Sequence, residues 1–291
     1  MSSSPLSGLV RNVAASGDAV GESPVWDPRT NQVAWIDSGE PSSLNTLDWT
    51  TGVHVCQPLT MRCTAIGLTG TPGEYVAALG TNVGVINSSG DVLSSIPLDL
   101  ATSDAATNDG ACDPFGSFWL GTTTYSREPL AGSLWRYDGS TVEALAHGYT
   151  LSNGLAWSPD KSGFYYVDSL ERMVRRMTWD GERTGQVDFL QFTEKDGLPD
   201  GIALDTEGGL WIAFWGPGAV RRYDSSGTLD VQIQLEVPNT TAVAFGGDDL
   251  STLLITSARS YDGDTVVDGS GNLFACDVDF SGVAPMLFTG S

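Results

Sequence analysis

The stretch Asn153–Asp168 reads NGLAWSPDKSGFYYVD. An amide opens it, a short apolar alternation follows, Ser158-Pro159-Asp160 makes a turn, and an aromatic run ends in an acid. Apolar runs on either side of a Pro-Asp turn predict two antiparallel strands. The same grammar recurs five times: ESPVWDPRTNQVAWID from Glu22, TAIGLTGTPGEYVAAL from Thr64, NDGACDPFGSFWLGT from Asn108, DGIALDTEGGLWIAF from Asp200 and TAVAFGGDDLSTLLIT from Thr241. Each unit has a polar anchor, a short strand, a turn and a stronger strand. The anchors are 42, 44, 45, 47 and 41 residues apart.

A period in the forties is that of a four-stranded propeller blade. Segments such as SLWRYDG and VEALAHG, or GAVRRYDSSG and VQIQLEV, supply the third and fourth strands. Helical periodicity is nearly absent, and 35 glycines suit many tight turns. The expectation is an all-β, six-bladed β-propeller with four-stranded blades, one domain over residues 1–291, and a central metal site. The strand around Leu9 to Val13 is expected to complete the last blade, so that no edge is left open.

Charge narrows the partners. The chain has 14 Lys and Arg against 36 Asp and Glu, a net charge of -22. Such a surface repels nucleic acid and anionic membranes. No apolar run is long enough to span a bilayer, and the first twenty residues lack the pattern of a signal peptide. A cytoplasmic protein with a small-molecule substrate, no nucleic acid or membrane partner, and a monomeric or weakly self-associating state is expected. Cys56, Cys63, Cys112 and Cys276 form no C-x-x-C pair and are expected reduced and mostly buried, with Cys56 and Cys63 open to placement on neighbouring strands of a hairpin.

In a propeller the first strand of each blade lines the channel, so Glu22, Thr64, Asn108, Asn153, Asp200 and Thr241 should form a ring. Two carboxylates, two amides and two hydroxyls would then face one axis. Hard oxygen donors suit Ca²⁺ first, with Mg²⁺, Mn²⁺ or Zn²⁺ as alternatives. Carboxylates facing each other without a cation repel, and one must take up a proton. The plainer reading is a hydrogen-bonded, water-filled channel. The two histidines, His54 and His147, fall outside the anchor strands and read as packing or surface residues.

The strings GESPVWD, NDGACDPFGSFWLGT, SNGLAWSPD, YYVDS, LPDGIALDTEGGLWIAFWGPGAVRRYD and AFGGDDLSTLLITSAR run from Gly21 to Arg259. Together they resemble the regucalcin, senescence marker protein and gluconolactonase family of six-bladed propeller hydrolases. The resemblance implies one divalent cation held by Glu22, Asn153 and Asp200, with Asn108 nearby through a water or the substrate. It implies opening of a lactone, with Asp200 as general base. Relatives on this fold act on other esters, including phosphotriesters, or in biosynthetic tailoring, and a non-catalytic calcium-binding propeller is a further alternative.

Two departures bear on the substrate. Many members carry Arg where Ala106 stands, and regucalcin-type members carry Glu where Tyr125 stands. The expected pocket is therefore less suited to a polyhydroxylated aldonolactone and more apolar. Trp215, Phe214, Tyr125, Tyr149 and Tyr261 are candidates for its wall, against blade packing as the plainer role. Tyr125 and Trp215 rank first, because they end the second strands of their blades. No G-x-S-x-G elbow and no phosphate-binding glycine loop occurs.

Overall fold

The computed structural model describes residues 10–179, 183–259 and 266–290. The six repeats fold as six antiparallel sheets in chain order, a six-bladed β-propeller. The inner strands are Gly21–Asp27, Ala65–Thr69, Ala105–Cys112, Ser152–Trp157, Leu198–Leu204 and Thr240–Gly246. Each touches the next, and the sixth touches the first, so they enclose an axis. Among the described residues the helical content is one short 3₁₀ turn, Glu194–Asp196. Among those residues no helix is long and apolar enough to cross a membrane.

The ring closes where the sequence predicts. Val10–Ala14 pairs antiparallel with Leu273–Asp277 and becomes the outer strand of blade 6. Leu9 lies outside the described residues. A second tie is not predictable from the repeat. Leu287–Phe288 adds to blade 2 in parallel, against Leu68 and Thr69 of its inner strand. The segment leading there is bonded to blade 5, through Val283 N to Leu204 O and Thr206 N to Ser281 O. It therefore crosses the channel floor. A cavity of about 190 Å³ lies above it, lined by Trp26, Leu68, Trp157, Phe245 and Met286 among others.

Among the described residues the apolar core is divided. Six apolar clusters fill the six gaps between neighbouring blades. Successive side chains of a strand point to opposite faces. Thus Phe118 and Leu120 pack toward blade 2, while Trp119 packs toward blade 4. Both faces are covered, which explains the near-continuous apolar second strands such as Phe118–Thr124.

Turn chemistry repeats as well. Asp113 Oδ1 accepts from the N–H groups of Phe115 and Ser117, and its Oδ2 from Trp119 Nε1 at 2.8 Å. Asp205 does the same for Glu207, Gly209 and Trp211. One acid thus tightens the turn and fixes the tryptophan six residues later, which wedges between blades. Asp205 also takes Arg222 Nε at 2.6 Å, and that guanidinium lies over Phe280.

The remaining sequence expectations divide. His54 stacks on Trp35 and bonds to Asn45, and His147 bonds to Ser133, so both are blade-packing residues. All four cysteines are free thiols. Cys56 sits on the exposed outer strand of blade 1, whereas Cys63 is buried in the connector to blade 2, so the two are not hairpin neighbours. Burial pushes the Cys63 thiol up to about 12.

Candidate metal centre and pocket

A local irregularity aims the anchors. In five of the six blades the pairing between first and second strands breaks at the anchor. The breaks lie between Glu22 and Val25, Thr107 and Gly110, Ser152 and Leu155, Pro199 and Ile202, and Thr240 and Val243. A bulge bends its strand and re-aims a side chain that the pleat would otherwise direct into a blade. Asn108, Asn153, Asp200 and Thr241 fall inside these breaks, and Glu22 sits at the edge of one. The glycine after two anchors follows from crowding. A Cβ at Gly154 would lie 2.5 Å from Asp200 O, and one at Gly201 would lie 2.5 Å from Ala242 Cβ.

Of the buried side-chain oxygens without a hydrogen-bond partner among the described residues, three belong to anchors: Glu22 Oε2, Asn153 Oδ1 and Asp200 Oδ1. They belong to the three residues that the resemblance nominates as ligands. The Asn153 amide is oriented by its neighbour. Ser169 Oγ spends its proton on Pro199 O at 2.6 Å, so it must accept from Asn153 Nδ2, 3.0 Å away. The amide oxygen is thereby left for the channel.

Electrostatics agrees with this donor set. Burial, then the charges of Asp200 and Asp109, hold the Glu22 carboxyl well above the usual range. Burial and then Asp109 do the same to Asp200, against a hydrogen bond from Asn153. Asp109 itself is pushed up to about 6 by burial. Buried oxygens without donors and carboxylates that resist ionising together fit a divalent cation, which would satisfy the first and reverse the second. The set is two carboxylates and an amide. Among the described residues no three Asp, Glu, His or Cys side chains converge as a metal cluster. Asp109 acts on the site through its charge, raising both Glu22 and Asp200.

The full ring of six donors does not form. Thr64 donates to Thr107 Oγ1 at 3.1 Å. Thr241 donates to Gly21 O and lies 2.9 Å from Thr256 Oγ1. A threonine hydroxyl is short and finds a partner on the adjacent strand, so these two anchors knit the ring and leave the axis to longer side chains. Asn108 Nδ2 donates to Ser152 O at 2.9 Å and ties blade 3 to blade 4.

The aromatic candidates separate. Phe214 is fully buried between blades 4 and 5, edge-on to Phe192 and under Arg221. Tyr149 is buried against Tyr166. Both are packing residues: alternation along its strand turns Phe214 between blades, and Tyr149 ends Val142–Tyr149, the outer strand of its blade. Tyr261 lies outside the described residues. Tyr125 is 57% exposed at the end of Phe118–Thr124, on the anchor side of the ring. Trp215 is half-buried at the corresponding end of Leu210–Trp215.

Sequence reading missed three contributors. Asp109 stands beside Asn108 in the same break but breaks the one-anchor-per-blade pattern. Ser169 acts through Asn153. Arg127 reaches Thr123 Oγ1 at 3.2 Å from the loop beyond Tyr125, and its charge opposes the rise of the Asp200 carboxyl.

The sequence profile of the SMP-30/Gluconolactonase/LRE-like region matches residues 20–259. The chain belongs to this family. Among SMP-30/gluconolactonase/LRE-like relatives, a pentonolactonase of Haloferax volcanii is 32% identical over 287 residues, covering 94% of this chain and 96% of that one. A 6-deoxy-6-sulfogluconolactonase of Pseudomonas putida is 32% identical over 288 residues, covering 96% and 98%. The crystal structure of the calcium-binding protein regucalcin from Agrobacterium tumefaciens superposes with a TM-score of 0.89 at 28% identity, covering 96% of each chain. Lactone hydrolysis is thus an activity of the family.

Proposed function

We propose that this protein is a divalent-cation-dependent lactonase whose substrate carries fewer hydroxyl groups than an aldonolactone. The observation that carries the reading is the set of partnerless buried oxygens on Glu22, Asn153 and Asp200. Those residues would hold the cation, with Ca²⁺ the first choice for an all-oxygen set. When bound, it would supply Lewis acidity toward an ester carbonyl.

The chain's own residues do the rest. Asp200 acts as general base and takes a proton from the attacking water as the oxygen adds to the lactone carbonyl carbon. Collapse of the tetrahedral adduct breaks the ring C–O bond. The departing alkoxide takes up that proton, and the product is a hydroxy acid. Glu22 keeps the site near neutrality. Asn153, locked by Ser169, supplies a neutral oxygen. Asn108 holds the substrate at the channel entrance. Ala106 and Tyr125 support a less hydroxylated ring, since neither offers the charged grip that Arg and Glu would. Trp215 and Tyr125 form the rim.

The test is chelation with reconstitution. Protein stripped by EDTA should lose lactone opening and regain it with Ca²⁺ or another divalent ion. Glu22→Gln and Asp200→Asn should each weaken Ca²⁺ binding by calorimetry and abolish turnover. Full turnover by the stripped protein ends this reading.

A further inference from the structure

In a chain with 14 basic against 36 acidic residues, two arginines frame Tyr125 at the channel mouth. Arg62 comes from the connector between blades 1 and 2. Its Nη1 donates to the Tyr125 hydroxyl at 2.8 Å and its guanidinium lies 5.0 Å from the centre of the ring. Its Nε is buried and has no partner. The head of Arg62 therefore rests on the Tyr125 ring and hydroxyl.

Arg127 comes from the loop that follows Tyr125, with φ of 56°. The loop is pinned. Ser126 Oγ donates to Asp104 at 2.6 Å, Glu128 N to Thr124 Oγ1 at 2.8 Å, and Leu130 N to Thr150 Oγ1 at 3.1 Å. From it, Arg127 Nη1 reaches Thr123. Thr123 is the cross-strand partner of Ala106 in the first strand of the same blade. The long side chain is thus turned back from an exposed loop toward the anchor end of the inner strand.

A neutral lactone ring offers two guanidinium groups only uncharged acceptors, its carbonyl and ring oxygens. An oxyanion is the better partner, because the planar fork of Arg matches carboxylate and sulfonate oxygens in pairs. We propose that Arg62 and Arg127 form an anion-reading edge and that the preferred substrate is a lactone bearing a carboxylate or sulfonate substituent. The proposal rests on the lactonase reading and refines it: few hydroxyl groups, one negative group. Tyr125 is the wall that holds Arg62 in place.

The test compares a γ-butyrolactone bearing a ring carboxylate, the same ring bearing an ionised sulfomethyl group (–CH2SO3⁻), and the same ring bearing a neutral carboxamide. With the cation-loaded protein, at least one anionic lactone should exceed the carboxamide in kcat/KM by about tenfold or more, as for a charge-assisted hydrogen bond. The two anionic arms show which oxyanion is preferred. Arg127→Gln and Arg62→Gln should each shrink the ratio, mainly through KM, and together bring it near one. Arg176→Gln, on the third strand of blade 4 over Tyr165, should leave the ratio unchanged. Calorimetry with tetrahydrofuran carboxylate, which cannot be hydrolysed, reads the same edge without turnover. Its binding should weaken in both Arg variants and with added salt. If that binding is unchanged in Arg127→Gln and Arg62→Gln, the anion sits on the cation and the proposal is overturned. A ratio near one in the unsubstituted protein overturns it too. If no lactone is opened at all, the lactonase reading fails, and calorimetry still decides the anion edge.

Discussion

Ser169 decides which end of Asn153 faces the channel. Its hydroxyl gives its one proton to Pro199 O, and so can only accept from the amide nitrogen. Ser169→Ala frees the amide to rotate and to present N–H where an oxygen is needed. Removing such a supporting partner typically costs about 10–100-fold in metal affinity. Calorimetry with Ca²⁺ should show that loss, with the melting temperature of the cation-free protein little altered. Unchanged affinity would mean that Asn153 is held by other contacts.

Asp18 gives the fold a pH dependence away from the channel. It is buried under Trp35 Nε1, Ser16 Oγ and Asn45 Nδ2. Burial raises it to about 7, against the hydrogen bonds from Trp35 and Ser16. A carboxyl raised on folding stabilises most below its unfolded pKa, and that contribution is lost as pH rises through the folded value. Between pH of about 4 and about 7 this group should lower stability by up to about 1.4 kcal/mol per pH unit. Asp18→Asn removes the titration. Urea unfolding of both proteins across this range should show a difference that narrows steadily toward acid. A constant difference would show that Asp18 is ionised throughout.

Asp205 and Asp113 make the same turn and hold equivalent tryptophans, but only Asp205 also holds a buried guanidinium at 2.6 Å. Arg136 stands 3.9 Å from Asp113 and is itself partly exposed. Asp205→Ala should therefore cost about 3–5 kcal/mol, the range for breaking a buried ion pair. Asp113→Ala should cost about 1–3 kcal/mol, the penalty of buried donors left unsatisfied. Chemical denaturation of the two variants side by side checks the order. Equal losses would assign the whole effect to the turn.

The rim positions test substrate choice. Ala106→Arg with Tyr125→Glu restores the two charged groups of the sugar-lactonase pattern. The ratio of kcat/KM for gluconolactone over an unsubstituted γ-lactone should rise by about tenfold or more. Initial rates must be corrected for spontaneous ring opening. Because Ala106 is buried, a melting curve should accompany the rates. No change in the ratio, in a folded variant, places hydroxyl recognition on other loops.

The blades were legible because every unit repeats one grammar, and the anchors because a polar residue at a strand start is costly unless it has work. Three things were hidden. The strand breaks leave no mark in composition, so nothing in NDG marks Asp109 as a neighbour of the same site as Asn108. Thr64 and Thr241 occupy anchor positions, but the length of a side chain, not its position in the repeat, decides whether it reaches the axis. Phe214 and Trp215 are adjacent and equally aromatic. Alternation sends the first between blades and leaves the second at the strand end, and the face assignment depends on a register that only the folded sheet sets.

Blade 6 is assembled from both ends of the fold. Val10–Ala14 is made early and has no partner until Leu273–Asp277 exists. During synthesis the first five blades can form in order, each on its predecessor, but the circle stays open. Glu22 on the first blade cannot face Asp200 on the fifth across a sealed channel until the last blade arrives. An emerging chain therefore offers wet, separated carboxylates with little hold on a cation. In the proposed lactonase, loading with a cation would report that the ring has closed, because only the finished molecule brings Glu22 and Asp200 together.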